Sequence, residues 1–389
     1  MYLKNDPQKN FLPTQYRRDA ELVVRHTYLA EQFADYAEIF AQIALVIEKG
    51  DFTLGEVVDF LEEELCEFLG VENVVSVGSG TDAIYLSLRA LGIGYGDQVI
   101  VPSFTFYATA GAIIKAGATP VFCDVGLDGN IRVEDVQKAL AVCSSCKAIV
   151  PVHWTGRPVD VKGITEFAAD HRLSVVYDAC HALGATIDGA SVASYGNTAA
   201  FSFHPLKNLN VWGDGGFIAT NDFDISQRLR LLRNHGLVGR DVCVEFGVNS
   251  RLDTIQAVVA RHMLRKLPSI NEARIKNSHF LDSKLSLIDN ISIPERHSNI
   301  TEVFHLYSFR AERRKDLIKE LINKGIDAKV HYPVPLHQQP AGKGFVLDDI
   351  DLINSEKLAA TSISLPVHEF VTPEQLEEML GIIKNFYAE

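Results

Sequence analysis

The chain has 389 residues, enough for a large core and more than one folded unit, and its 47% hydrophobic and 22% charged content is that of a globular protein. The 50 acidic against 37 basic side chains give a formal charge of -13, which repels a nucleic-acid backbone and argues against nucleic-acid partners. Arg228, Arg230 and Arg233 read as the solvated face of a leucine-rich helix rather than as a basic patch. Residues 1–18 are polar and lack the apolar segment of a secretory leader, and no apolar run approaches the roughly 20 residues that span a bilayer, so a cytoplasmic protein with no membrane partner is expected. Of the six cysteines, Cys143 and Cys146 form one CxxC without a second pair at zinc spacing, which predicts incidental thiols and no metal.

Residues 34–47 have helical apolar spacing and end near Gly50, and residues 56–68 form an acidic amphipathic helix closed by Gly70. The segment from Asp51 to Gly55 between them is a linker or a loop that reaches a neighbouring subunit. Strands and helices then alternate: strand 74–77, helix 81–91, strand 98–101, helix 107–116, strand 120–123, strand 148–152, helix 161–171 and strand 173–177. β-Branched strands separated by helices predict an α/β protein with a mostly parallel sheet covered on both faces. Strands 199–203 and 217–220 follow around a glycine-rich turn, then helix 225–232 and a helix over 254–267 that leads away from the sheet. Beyond about residue 280 the pattern becomes a smaller α+β portion, with segments 303–310 and 317–324 and a helix over 373–387. The expected division is an N-terminal extension (1–33), a large domain (34–270) and a small C-terminal domain (271–389).

Four features fall at loops beside the sheet, where open α/β folds bind ligands. Gly78-Ser79-Gly80-Thr81 follows a strand and opens a helix, so it is either a phosphate seat made of N–H groups and hydroxyls or only a tight turn. Asp178 ends an apolar strand before Ala179-Cys180-His181; it either caps a helix start or holds a pyridine nitrogen protonated. In Ser202-Phe203-His204-Pro205-Leu206-Lys207-Asn208 a strand gives way to a loop, and Lys207 is either an exposed lysine or an enclosed amine able to attack a carbonyl. Phe104-Thr105-Phe106-Tyr107 reads as core or as a stacking platform for a planar ring. Together they meet the demands of pyridoxal phosphate: an anion seat, an acid for the ring nitrogen and an amine for the aldehyde.

With these residues in order, the chain resembles the DegT/DnrJ/EryC1/StrS family of sugar aminotransferases. The resemblance runs from about Ala34 to the C-terminus and also includes Val101-Pro102-Ser103, Gly213-Asp214-Gly215-Gly216, Asn249-Ser250-Arg251-Leu252-Asp253 and His331-Tyr332-Pro333. It implies a fold type I aminotransferase architecture, pyridoxal 5'-phosphate as cofactor with pyridoxamine 5'-phosphate as its intermediate form, and a homodimer. Carried over residue by residue, it makes Lys207 the lysine that binds the cofactor as an imine and Asp178 the partner of the pyridine nitrogen. Gly80, Thr81 and Ser202 would hold the phosphate, Phe106 and His181 would flank the ring, and Asn249 would come from the other subunit. Phe52, His331 and Tyr332 would touch substrate.

The implied reaction moves an amino group from L-glutamate or L-glutamine to a nucleotide-linked 3-keto or 4-keto deoxysugar. Lys207 favours transamination over dehydration, because related dehydratases carry histidine there. The alternatives are a keto-cyclitol (inosose) aminotransferase and a non-catalytic regulatory or assembly homologue. The chain departs from the family pattern at His153-Trp154-Thr155-Gly156-Arg157 and in about thirty residues that precede the usual start.

Overall fold

The computed structural model describes residues 22–388. Its central sheet has seven strands: β1 (Asn73–Val77), β2 (Gln98–Pro102), β3 (Thr119–Cys123), β4 (Cys146–Ile149), β5 (Ser174–Asp178), β6 (Thr198–Ser202) and β7 (Gly216–Thr220). Strand order across the sheet is β1-β7-β6-β5-β4-β2-β3. β2 pairs in parallel with β3 and β4, β4 with β5, and β5 with β6, while β7 runs antiparallel between β6 and β1. The sheet is mostly parallel, as the alternation of strands and helices predicts.

Side chains alternate between its two faces because successive Cβ atoms on a strand point opposite ways. Val99 and Val101 enter one apolar core and Ile100 the other, and Val176 is separated in the same way from Val175 and Tyr177. Helices Gly80–Ala90, Tyr107–Lys115 and Phe223–Leu232 cover one face. Helices Tyr36–Lys49, Glu56–Leu69, Val133–Val142 and Val161–Asp170 cover the other. With both faces dry, the strands carry nearly continuous apolar runs.

A third core surrounds the antiparallel strands β8 (Ile291–Ser292), β9 (Tyr307–Ala311) and β10 (Ser362–Leu365), with helices Arg314–Asn323 and Pro373–Ala388. Tyr307, Phe309, Leu317, Leu321, Ile363 and Met379 fill it. Val24 joins this core and pairs in parallel with Ile326, so the first described residues are fastened to the C-terminal unit. The polar stretch 1–18, and with it most of the expected extension, lies outside the described residues.

Several expectations need correction. Helix Thr254–Leu285 runs far beyond the expected end at 267, straight through Pro268. Its first half packs on helices Tyr36–Lys49 and Glu56–Leu69, in the core that holds Ala257, Met263 and Leu267, and its end reaches the C-terminal core through Leu281 and Leu285, so burial at both ends outweighs one lost hydrogen bond. The helix Val133–Val142 adds an element to the expected order, and β4 is shorter and earlier than the expected strand 148–152. The arginine face is not simply solvated. Arg233 is 5% exposed and meets Glu62 at 2.6 Å, Arg230 meets the same carboxylate at 2.6 Å, and Arg228 pairs with Glu245 at 2.9 Å. Among the described residues no helix is long and apolar enough to cross a membrane.

Candidate active site

Parallel strands bring their C-terminal ends to one edge of the sheet, and there β1, β2, β5 and β6 release the four loops singled out in the sequence. After β1, Ser79 caps helix Gly80–Ala90 by accepting from Asp82 N at 3.1 Å, which leaves the first N–H groups of that helix directed outward. Gly80 is pressed against β6: a Cβ there would lie 2.7 Å from Ser202 Cβ and 2.9 Å from Cys180 Sγ. The backbone therefore forms a close cradle with the Ser202 hydroxyl beside it, an arrangement suited to phosphate oxygens.

Asp178 ends β5, is 6% exposed, and accepts from Thr109 Oγ1 at 2.8 Å and from Cys180 N at 3.2 Å. Those bonds fix a buried carboxylate and leave it lone pairs for one further partner. Lys207 follows β6 in a turn in which its N–H donates to the His204 carbonyl at 2.8 Å. Burial pulls its ammonium below the usual lysine range, against the opposing fields of Cys180 and Asp178. Lys207 is half-buried and within the field of Asp178, so the two groups share one region of the fold.

His181 stacks at a tilt on His305, with ring centroids 4.3 Å apart, and the Nδ1 atoms of both rings are buried without a hydrogen-bond partner. Burial, followed by the field of Lys207 at His181 and of His181 at His305, holds both imidazoles well below the usual histidine range. The Tyr332 ring lies 5.8 Å from Phe106, 6.5 Å from Tyr107 and 6.4 Å from Phe104, and Trp154 backs Phe104 at 5.1 Å. Burial raises the Tyr332 hydroxyl, and Asp178 adds to that shift. His331 Nδ1 meets Ser364 Oγ at 3.1 Å.

The structure therefore gathers Gly80, Thr81, Phe106, Asp178, His181, Ser202, Lys207, His331 and Tyr332 around one edge of the sheet. Asn249 and Phe52 are exposed, and neither has a hydrogen bond or ring contact with that group in this chain. Asn249 instead forms a backbone bridge with Asn234, and Thr53, beside Phe52, one with Asp253. Thr109, Cys180 and His305 belong to the site but were not assigned to it from sequence. Cys180 stood beside His181 and two residues past Asp178, and Thr109 two residues past the aromatic patch. His305 had no local signal, since it arrives from the C-terminal unit. The departure at Arg157 is internal: this 5%-exposed guanidinium lies 3.2 Å from Glu302 and 3.4 Å from Asp128.

The chain is 36% identical over 362 residues to a pleiotropic regulatory protein of Geobacillus stearothermophilus, covering 92% of this chain and 97% of the relative. It is 38% identical over 351 residues to a UDP-N-acetyl-3-dehydro-alpha-D-glucosamine 3-aminotransferase of Acidithiobacillus ferrooxidans, covering 90% and 93%. Among solved structures it matches S. venezuelae DesV in complex with a ketimine intermediate, with TM-score 0.90, 36% identity and coverage of 94% of this chain and 99% of that one. It also matches NtdA of Bacillus subtilis with bound cofactor PMP, with TM-score 0.84, 27% identity and coverage of 91% and 82%. The fold is that of these aminotransferases. Residues 34–384 match the family model of the DegT/DnrJ/EryC1/StrS aminotransferases, and the chain belongs to that family.

Proposed function

We propose that this protein is a pyridoxal-phosphate transaminase that passes an amino group from L-glutamate, or L-glutamine, to a nucleotide-linked 3-keto or 4-keto deoxysugar. The observation that carries the reading is the nearness of the half-buried Lys207 to the Asp178 carboxylate, beside the Gly80–Ser202 cradle. The residues fit the cofactor on three counts: a backbone gap that a Cβ would fill, a buried acid with free lone pairs, and imidazole Nδ1 atoms without partners. When bound, the cofactor supplies an electron-accepting pyridinium ring that stabilises charge at the substrate carbon.

Gly80 and Thr81 N–H groups, with the Ser202 hydroxyl, would hold the phosphate. Asp178 would keep a proton on the ring nitrogen, with Thr109 fixing the carboxylate in place. Phe106 and His181 would flank the ring, and a neutral His181 adds no charge to oppose its protonation. Lys207 Nζ, its basicity reduced by burial, would accept a proton from the substrate carbon and return it, acting from a fixed short distance. His331, Tyr332 and Phe52 would touch substrate, and Asn249 would complete the site of a second copy in a homodimer. In this scheme residues 34–270 form the cofactor-binding unit and 271–389 the smaller one, and the enzyme works in the cytoplasm.

The test loads the protein with pyridoxamine phosphate and screens dTDP-, UDP- and GDP-linked keto-sugars, and an inosose, for return of the aldehyde absorbance. Lys207→Ala is expected to fold and to lose turnover, and normal turnover by that variant would overturn the assignment. A strict inosose preference would replace the nucleotide-sugar reading. The name of the Geobacillus relative favours one second reading, a regulatory protein without catalysis; formation of pyridoxamine phosphate on adding glutamate decides against it.

A further inference from the structure

A small cavity of about 90 Å³ lies behind the Lys207 loop, lined by Pro205, Leu206, Arg274, His305, Lys329 and His331 among others. Residues 26–29 also contribute to its wall. Arg274 is 4% exposed, yet it donates only to neutral acceptors: the carbonyls of Phe304 at 3.2 Å and His305 at 3.3 Å, and the Tyr28 hydroxyl. Its Nε has no partner, and among the described residues no carboxylate lies within ion-pair distance of it. Glu369 is within its field, but burial pushes that acid up and one of its oxygens accepts from Gln32. Arg274 thus has the field of Glu369 and the face of the Tyr28 ring, 5.5 Å away, but no direct ion pair, so a bound anion would add favourable charge to it.

Lys329 Nζ, in the same wall, pairs with Asp327 at 3.2 Å and has further N–H donors to spare. Among the described residues, the two buried ring nitrogens of His26 and the Nδ1 of His305 meet no hydrogen-bond partner. Asp327, 3.7 Å from His26 Nδ1, is the one carboxylate in contact with this group among the described residues, against the two cations Lys329 and Arg274. The lining thus offers an excess of donors and positive charge, next to the loop that carries the reacting amine.

We propose that this cavity is a carboxylate subsite of the transamination centre, with Lys329 as the specificity-determining residue that receives the carboxylate and Arg274 as the buried charge behind it. The proposal rests on the sugar-transamination reading. The carboxylate comes either from the side chain of glutamate or from a uronic keto-sugar, and the two half-reactions distinguish these sources.

The variant is Lys329→Met, which keeps the length of the apolar stem. Its fold is checked by its melting temperature and by the lysine-bound cofactor absorbance. Glutarate, which has no amine and cannot react, is titrated calorimetrically into wild type and variant. Binding weakened about tenfold or more in the variant supports the subsite, as expected for loss of one charge-assisted hydrogen bond. In the donor half-reaction, a rise of about tenfold in KM for glutamate with glutamine unchanged identifies the amino donor as the source. A rise confined to a carboxylated keto-sugar, relative to its neutral counterpart, identifies the sugar. Equal glutarate affinity in the two proteins, with unchanged KM for every substrate, overturns the proposal. If wild type binds glutarate through Lys329 but turns over no keto-sugar, the transamination reading fails and the subsite stands.

Discussion

His153 lies flat against Tyr177, with ring centroids 5.0 Å apart, and its Nδ1 accepts from Val159 N at 3.1 Å. Burial pushes its pKa down to about 3, whereas in the unfolded chain it titrates near about 6.5. Between those values the unfolded state binds the extra proton, so this contribution is intact above the higher pKa and declines as the pH falls below it. Denaturant unfolding from pH 7.5 to 4.5 is expected to show a loss from His153 of about 1.4 kcal/mol per pH unit once below its unfolded pKa. His153→Gln should flatten the curve by that amount, and an unchanged slope would refute the assignment. Other residues gain meaning only through their surroundings. Ser103 Oγ, His337 Nδ1 and Glu356 form a chain at 2.6 and 3.1 Å that resembles a hydrolytic relay, but Ser103 is fully buried, so the chain clamps the end of β2 to the C-terminal segment.

At the scale of an element, helix Gly80–Ala90 shows how a start signal becomes a binding surface. Gly80 permits an approach to Ser202 and Cys180 that a methyl group would prevent, while a Cβ at Gly111, in helix Tyr107–Lys115, would meet nothing within 4 Å. Gly80→Ala is therefore expected to weaken pyridoxal-phosphate binding by about tenfold or more in an absorbance titration. Gly111→Ala should leave that binding unchanged and stabilise the fold by about 0.5–1 kcal/mol. Equal cofactor affinity in Gly80→Ala and wild type would rule out the cradle. Helix Phe223–Leu232 teaches the opposite lesson about legibility. Arg230 and Arg233, three residues apart, could be placed on one face from spacing, but not paired with Glu62, which comes from helix Glu56–Leu69 far earlier in the chain.

For the whole molecule, the hairpin of Leu237–Gly239 and Val242–Cys243 holds out Val238, Val242, Val244 and Phe246, the last 91% exposed, close in sequence to Asn249. Tyr36, Phe40, Leu45 and Ile47 expose further apolar surface on helix Tyr36–Lys49. Such surface is costly in a monomer and is the usual mark of an interface. Sedimentation is expected to give a dimer, and Phe246→Asp to weaken it by about 2–4 kcal/mol with a parallel loss of activity. Fully active wild-type monomers would contradict the dimer.

The mostly parallel sheet and the loops that carry Gly80, Asp178, Ser202 and Lys207 are legible along the chain, because each of these is a local event: a strand ends, and a glycine, an acid or a lysine follows. The order of those segments also carried the family. It took the folded chain to reveal that helix Thr254–Leu285 continues through Pro268, that Val24 belongs to the C-terminal core, and that His305, Arg274 and Lys329 stand behind the Lys207 loop. Those facts depend on contacts between segments widely separated along the chain, and the energy that fixes them, burial of apolar surface and pairing of charge, has no periodic trace in any one segment.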